Sequence, residues 1–211
     1  MSGIRIMLPI AVLFFTGMAL PQTPAAYWSF DEGSGDTVKD SAGGFTGKFS
    51  GAVTWIAGKS GSALHFNGID SFVNCGLTPA LNFASDFTIM LWLKASKAGS
   101  DKNPYSGVIG KFMYGPGGKG ISRYDIILHT SGQLRSTVRG EKNIDTGTVG
   151  PNLLDDSWHH IALAVTKTSV KYYADGKLVK DTAGEWVPNA NEAPLTIGYR
   201  DGGMPAFNGS I

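Results

Sequence analysis

"DFTIMLWLKA", residues 86–95, alternates along its length: Phe87, Ile89, Leu91 and Leu93 fall on one side, and Thr88, Met90, Trp92 and Lys94 on the other. A spacing of two is the mark of a β-strand, whose successive side chains point to opposite faces. Both faces here are largely apolar, so the pattern predicts a strand at the centre of a sheet.

The same spacing extends outward through the chain. "AYWSF" (26–30) sends Ala26, Trp28 and Phe30 one way, and shorter runs such as "ALHF", "SFVNC", "GVIGKF", "YDIILH", "LRSTV", "HHIALAV", "VKYYA", "KLVK" and "LTIG" repeat it between turn residues. In "VKYYADGKLVK" the Asp175-Gly176 pair can take the positive φ angles of a two-residue type I′ turn, which predicts a hairpin. In "ALHFNGIDSFVN" Asn67-Gly68 opens a turn of about four residues, read as a second hairpin. No window carries a helical stripe longer than about two turns, and 29 glycines with 10 prolines supply many breaks. About a dozen short strands with hairpin spacing fit an all-β, two-sheet antiparallel sandwich.

At 211 residues one such domain can use the whole length. The 18 basic and 17 acidic residues form no charge run, which argues against nucleic acid as a partner and against an anionic membrane surface. Arg5 precedes an apolar run from Ile6 to Phe15, followed by small residues and "PQTPAA". Residues 1–25 therefore read as a secretory signal and short linker, too brief and interrupted for a membrane span, and the protein as secreted or displayed at the cell surface. Cys75 is the only cysteine, so no internal disulfide can form and the fold rests on its core.

Several stretches imitate chemical motifs. "GPGGKG" (115–120) has the glycine spacing of a dinucleotide loop, but a strand-like run follows it where a helix N-terminus is needed, so it reads as a loop. "AGKS" (57–60) lacks the first glycine of a phosphate loop and reads as a turn. In "LLDDSWHHIALAVT" (153–166) the cluster Asp155, Asp156, His159 and His160 suggests a metal or acid–base site. On a strand, however, the two histidines point to opposite faces, and the aspartates sit where short polar side chains cap turns. The stretch reads as the start of a strand with structural histidines. None of the four glutamates (Glu32, Glu141, Glu185, Glu192) has a second carboxylate two positions away, the arrangement a sandwich glycosidase commonly uses. No catalytic residues are assigned.

The ordered set "YWSFDEGSGDTVKDSAGGFTGKF", "GKSGSALHFNGIDSFVNCG", "DFTIMLWLKA", "SWHHIALAVT", "VKYYADGKLV" and "LTIG" resembles the laminin G-like jelly-roll domains of the concanavalin A-like lectin and glucanase superfamily, over about residues 26–211. The resemblance implies a jelly roll of two curved sheets. It also implies a non-catalytic module, usually part of a larger exported multidomain protein, that binds glycan or extracellular protein ligands; a glycoside hydrolase and a structural spacer are the alternatives. Members commonly continue past "FNGSI" with a closing strand of the form I-D-E-V-R-I-Y. Because this sequence stops at Ile211, the resemblance implies a C-terminally truncated domain or an unpaired edge beside the N-terminal strand. It also implies a calcium ion, with Asp31, Asp40, Asn67 and Asp70 as candidate metal ligands; bonding of turn amides is the other role open to each. For sugar stacking the candidate aromatic residues are Tyr105, Tyr114, Trp186 and Tyr199, each of which could instead anchor a loop.

Overall fold

The computed structural model describes residues 23–100, 102–114, 120–188, 192–201 and 204–211. The expected signal segment thus falls almost wholly outside the described residues, as do most of the "GPGGKG" loop and the side chain of Tyr114. Strands numbered in chain order form two antiparallel sheets. The larger has the order β1 (Thr37–Lys39), β2 (Thr46–Ser50), β5 (Phe72–Leu77), β14 (Pro194–Ile197), β7 (Tyr105–Tyr114), β8 (Gly120–His129), β9 (Leu134–Val138) and β10 (Ile144–Asp145). The smaller runs β13 (Lys177–Ala183), β12 (Ser169–Ala174), β11 (His159–Val165), β6 (Phe87–Ala95), β15 (Asn208–Ser210), β4 (Ser62–Asn67) and β3 (Thr54–Ala57). The chain is all-β, as the period-two pattern requires, and the arrangement is that of a jelly roll.

Alternation builds the core from both layers. Val73, Leu195, Ile197, Ile126, Leu128 and Val138 of the eight-stranded sheet are buried, as are Leu64, Phe66, Leu93, Ile161, Leu163 and Val170 of the seven-stranded one. Between the layers Phe87 packs against Phe83, Tyr124 and Trp186, with ring centroids 4.7, 5.4 and 5.7 Å away. A methyl group on Gly47 would overlap the buried Val38 and Val73 side chains, so β2 can cross this layer only with glycine there. One lysine also lies inside. Lys111 donates its ammonium to the Thr78 carbonyl (3.0 Å) and hydroxyl (2.7 Å), and burial together with the nearby Arg123 lowers its pKa to about 8.

Asp175 and Gly176 take φ of 48° and 75°, and the chain reverses between β12 and β13 as the Asp-Gly pair predicts. Two other expectations are corrected. The Asn67-Gly68 turn exists, with Gly68 at φ 74°, but it does not close a hairpin: β4 pairs with β3 and β15, while β5 pairs with β2 and β14. The turn carries the chain from one sheet to the other, so that Phe66 and Val73 meet the core from opposite layers. Residues 26–30 form no strand. The backbone of Tyr27 is instead held by the Asp40 carboxylate and the Ser41 amide, and Phe30 is buried at a φ of 59°. At the other terminus β15 inserts between β4 and β6, pairing with β6 through Lys94 and Ala95.

Candidate functional site

β6 is the middle strand of the seven, and its second face is the unexpected feature. Phe87 and Leu93 point inward and are buried, but Met90 and Trp92 are 63% and 41% exposed. In a two-layer sandwich each sheet has only one covered face, so an apolar second face looks onto solvent. The register extends this face across four strands: Met90 lies beside Ala162, Ala162 beside Tyr173, and Tyr173 beside Leu178, which is 53% exposed. The small Ala162 and Ala164 leave a low floor between the larger side chains of β6 and β12.

Trp92 is fixed from two sides. His160, its cross-strand partner on β11, meets the indole edge-to-face at 5.2 Å, and the Lys59 ammonium from the turn between β3 and β4 lies 5.3 Å from the indole centroid. Two residues along β6, on the same face, Lys94 lies 3.4 Å from Asp156. Lys94 and Asp156 line a cavity of about 190 Å³ together with His65, Asn208 and Ser210. Within it the His65 Nδ1 and Ser210 hydroxyl are hydrogen-bonded at 3.1 Å. An exposed indole on a rigid strand beside hydroxyl, amide, imidazole and charged groups can stack an apolar ring face and bond its polar edge.

The outer face of the eight-stranded sheet differs. Residues after β14 fold over it: Tyr199 stacks on Phe72 at 4.9 Å, and Arg200 lies over Phe112, with its guanidinium carbon 3.5 Å from the ring centroid. Beneath this cover Arg200 donates to the fully buried Asp125 at 3.1 Å, and Arg139 stands 3.9 Å from the same oxygen. Burial raises the Asp125 pKa, and the two guanidinium groups and the Thr137 amide only partly offset this. Across β9, Asp145 is held in a two-pronged bond by Arg135 at 3.0 and 2.5 Å. A cleft of about 270 Å³ near Thr46, Lys48 and Asn74, farther along this sheet, is lined by no aromatic side chain.

The sequence candidates occupy varied positions. The Asp40 carboxylate accepts the amides of Tyr27, Ala42, Gly43 and Phe45 at 2.7–3.4 Å; burial opposes its ionisation, but these amides outweigh it and lower its pKa. Asn67 Oδ1 accepts the amides of Ile69, Asp70 and Ser71 and the Ser71 hydroxyl, and its Nδ2 donates to Asp70 at 2.7 Å. Asp31 accepts the Ser62 amide at 3.2 Å. Calcium needs six to eight oxygens with lone pairs free to face it. The oxygens of Asp40 and Asn67 are already directed at N–H and O–H donors, whereas Asp31 and Asp70 each accept a single hydrogen bond through Oδ1. Among the described residues no three His, Cys, Asp or Glu side chains gather as a metal site.

Of the aromatic candidates, Trp186 is 2% exposed and donates its indole N–H to the Arg139 carbonyl at 3.1 Å, which makes it a core anchor. The Tyr105 hydroxyl bonds Thr148 Oγ1 at 2.9 Å, and Tyr199 is occupied by Phe72. His159 and His160 do diverge, as alternation requires. His160 reaches Trp92, while His159 sits between Asp175 (Nδ1, 2.8 Å) and Asp155 (Nε2, 2.9 Å). Burial alone would keep His159 neutral, but the two carboxylates outweigh it and raise its pKa. Trp92 was legible only as a sheet residue, because its exposure depends on which face the second layer covers.

A family profile described as "Concanavalin A-like lectin/glucanases superfamily" matches residues 67–211. The chain belongs to this superfamily. Solved structures agree in fold. Domain 4 of AbnA, an extracellular arabinanase of Geobacillus stearothermophilus solved in complex with arabinotriose, matches with a TM-score of 0.59 at 18% identity, over 88% of this chain and 89% of that one. A mutant Trypanosoma rangeli sialidase displaying trans-sialidase activity matches with a TM-score of 0.60 at 14% identity, over 90% of this chain but 30% of the sialidase. At these identities the likeness is one of fold. No curated protein matches the sequence. No helix among the described residues is long and apolar enough to cross a membrane.

Proposed function

We propose that this superfamily member is an exported, non-catalytic carbohydrate-binding module whose sugar-stacking surface is the outer face of the seven-stranded sheet, centred on Trp92. The observation that carries the reading is a 41% exposed indole in the middle strand of a sheet, next to an alanine floor and a polar cavity. Burying an aromatic face against the C–H face of a sugar offsets the cost of exposing it, and the rigid strand means little ordering is needed on binding. The arabinotriose complex of a whole-domain structural neighbour supports a saccharide as the ligand class. On the opposite sheet Asp125 and Asp145 are each paired with arginine, whereas a glycosidase pair needs one carboxyl free to give a proton and one free to attack or activate water; this supports the non-catalytic reading. Export is inferred from Arg5 and the apolar run after it.

Calorimetric titration with a panel of oligosaccharides tests the site. Trp92→Ala is expected to weaken binding by about 10-fold or more, the order of losing one well-used aromatic contact, at an unchanged melting temperature. Full affinity in the Trp92→Ala protein would refute the assignment.

A further inference from the structure

We infer that the saccharide taken by this face is acidic, an oligosaccharide bearing uronate carboxylates. The inference rests on the Trp92 reading and concerns what surrounds the ring. The Lys59 ammonium lies 5.3 Å from the indole centroid, and among the described residues no carboxylate is within ion-pair distance of it. Lys94, on the same face of β6, has one partner, Asp156, and both side chains reach solvent. On β12 Lys171 is matched by Asp181 at 3.7 Å. Lys59 thus brings a positive charge to the ring itself.

Position decides what that charge selects. A cation over an indole is held by the ring quadrupole, and a sugar that stacks on the face Lys59 covers must push the ammonium aside. A neutral pyranose gives nothing back for the lost contact. A uronate places a carboxylate at the edge of the stacked ring, where the displaced Lys59 can pair with it and where Lys94 can exchange its solvent-exposed bond to Asp156 for the ligand. The lysine thus penalises neutral sugars and rewards acidic ones, so that one contact discriminates in both directions.

The test uses the full chain with galacturonate, glucuronate and mannuronate oligosaccharides, each beside its carboxyl-reduced neutral counterpart. The wild type is expected to bind at least one acidic form more tightly than its reduced form, and 0.5 M salt is expected to shrink that preference. Lys59→Gln is expected to weaken acidic binding about two- to five-fold, the range of a single exposed ion pair. It should leave neutral binding equal or stronger, at an unchanged melting temperature. Equal affinity for both forms, or a preference that survives Lys59→Gln and Lys94→Gln together, overturns the inference. If Trp92→Ala still abolishes binding in that case, the platform reading stands and only the charge selection falls. Binding that Trp92→Ala leaves intact overturns the platform and this inference with it.

Discussion

His159 shows how far one residue's neighbours can change its meaning. The sequence placed Asp155 four positions before it, but the second carboxylate, Asp175, comes from the turn at the far end of β12 and is brought there by strand pairing alone. The same aspartate accepts the His160 amide at 2.9 Å, so one side chain ties the turn to the start of β11. Because the pKa of His159 is raised in the fold, its contribution to stability is full below the ordinary histidine value near 6.5 and is lost as pH rises through the folded value. Asp155 and Asp175 have lowered pKa values, chiefly through their bonds to His159, so their contribution is present above the ordinary carboxylate value and is lost as pH falls through the folded ones. The clamp is strongest between those limits, at about pH 4 to 6.5. Asp175→Asn is expected to lower the His159 pKa, followed by the imidazole proton shifts in an NMR titration; an unmoved pKa would mean that the clamp does not form in solution.

At the level of elements, local pattern and long-range partnership were unequally legible. The β12–β13 reversal could be read from Asp175-Gly176 because the turn's φ angles depend on those two residues. The Asn67-Gly68 turn could not be resolved in the same way: an Asx-type turn reverses the chain equally well within a sheet or between sheets, and only pairing with β15 and β2 distinguishes the two. Trp186 was hard to place from sequence for a related reason. Trp186 lies in a Gly- and Pro-flanked stretch that looks exposed, yet its ring reaches Phe87 in the core. The loops holding Asp40 and Asn67 are complete as hydrogen-bonded units, with backbone amides supplying the positive charge a metal would bring. If these loops act through their own hydrogen bonds alone, melting measured with 5 mM calcium and with an excess of chelator gives the same midpoint, on the order of 1 °C or less apart. A calcium-dependent rise of several degrees would contradict this.

For the molecule as a whole, period-two alternation sufficed to give two antiparallel layers, because burial of alternate side chains is the main source of stability in a chain with no disulfide. It could not say which of the two apolar faces of residues 87–95 is covered, and the candidate site follows from that one missing fact. The two outer faces then diverge: one is roofed by Tyr199 and Arg200 and locked by arginine–aspartate pairs, while the other offers Trp92, Met90 and Leu178 to solvent beside a half-buried Tyr173. The most direct measurement is an amide and indole NMR titration of the full chain with an oligosaccharide that binds. The shifted signals are expected to cluster at Trp92 and its neighbours on β6, β11 and β12, with Tyr199, Arg200 and Asp125 unmoved. Shifts confined to the eight-stranded sheet, with the Trp92 indole signal unchanged at saturation, would contradict it.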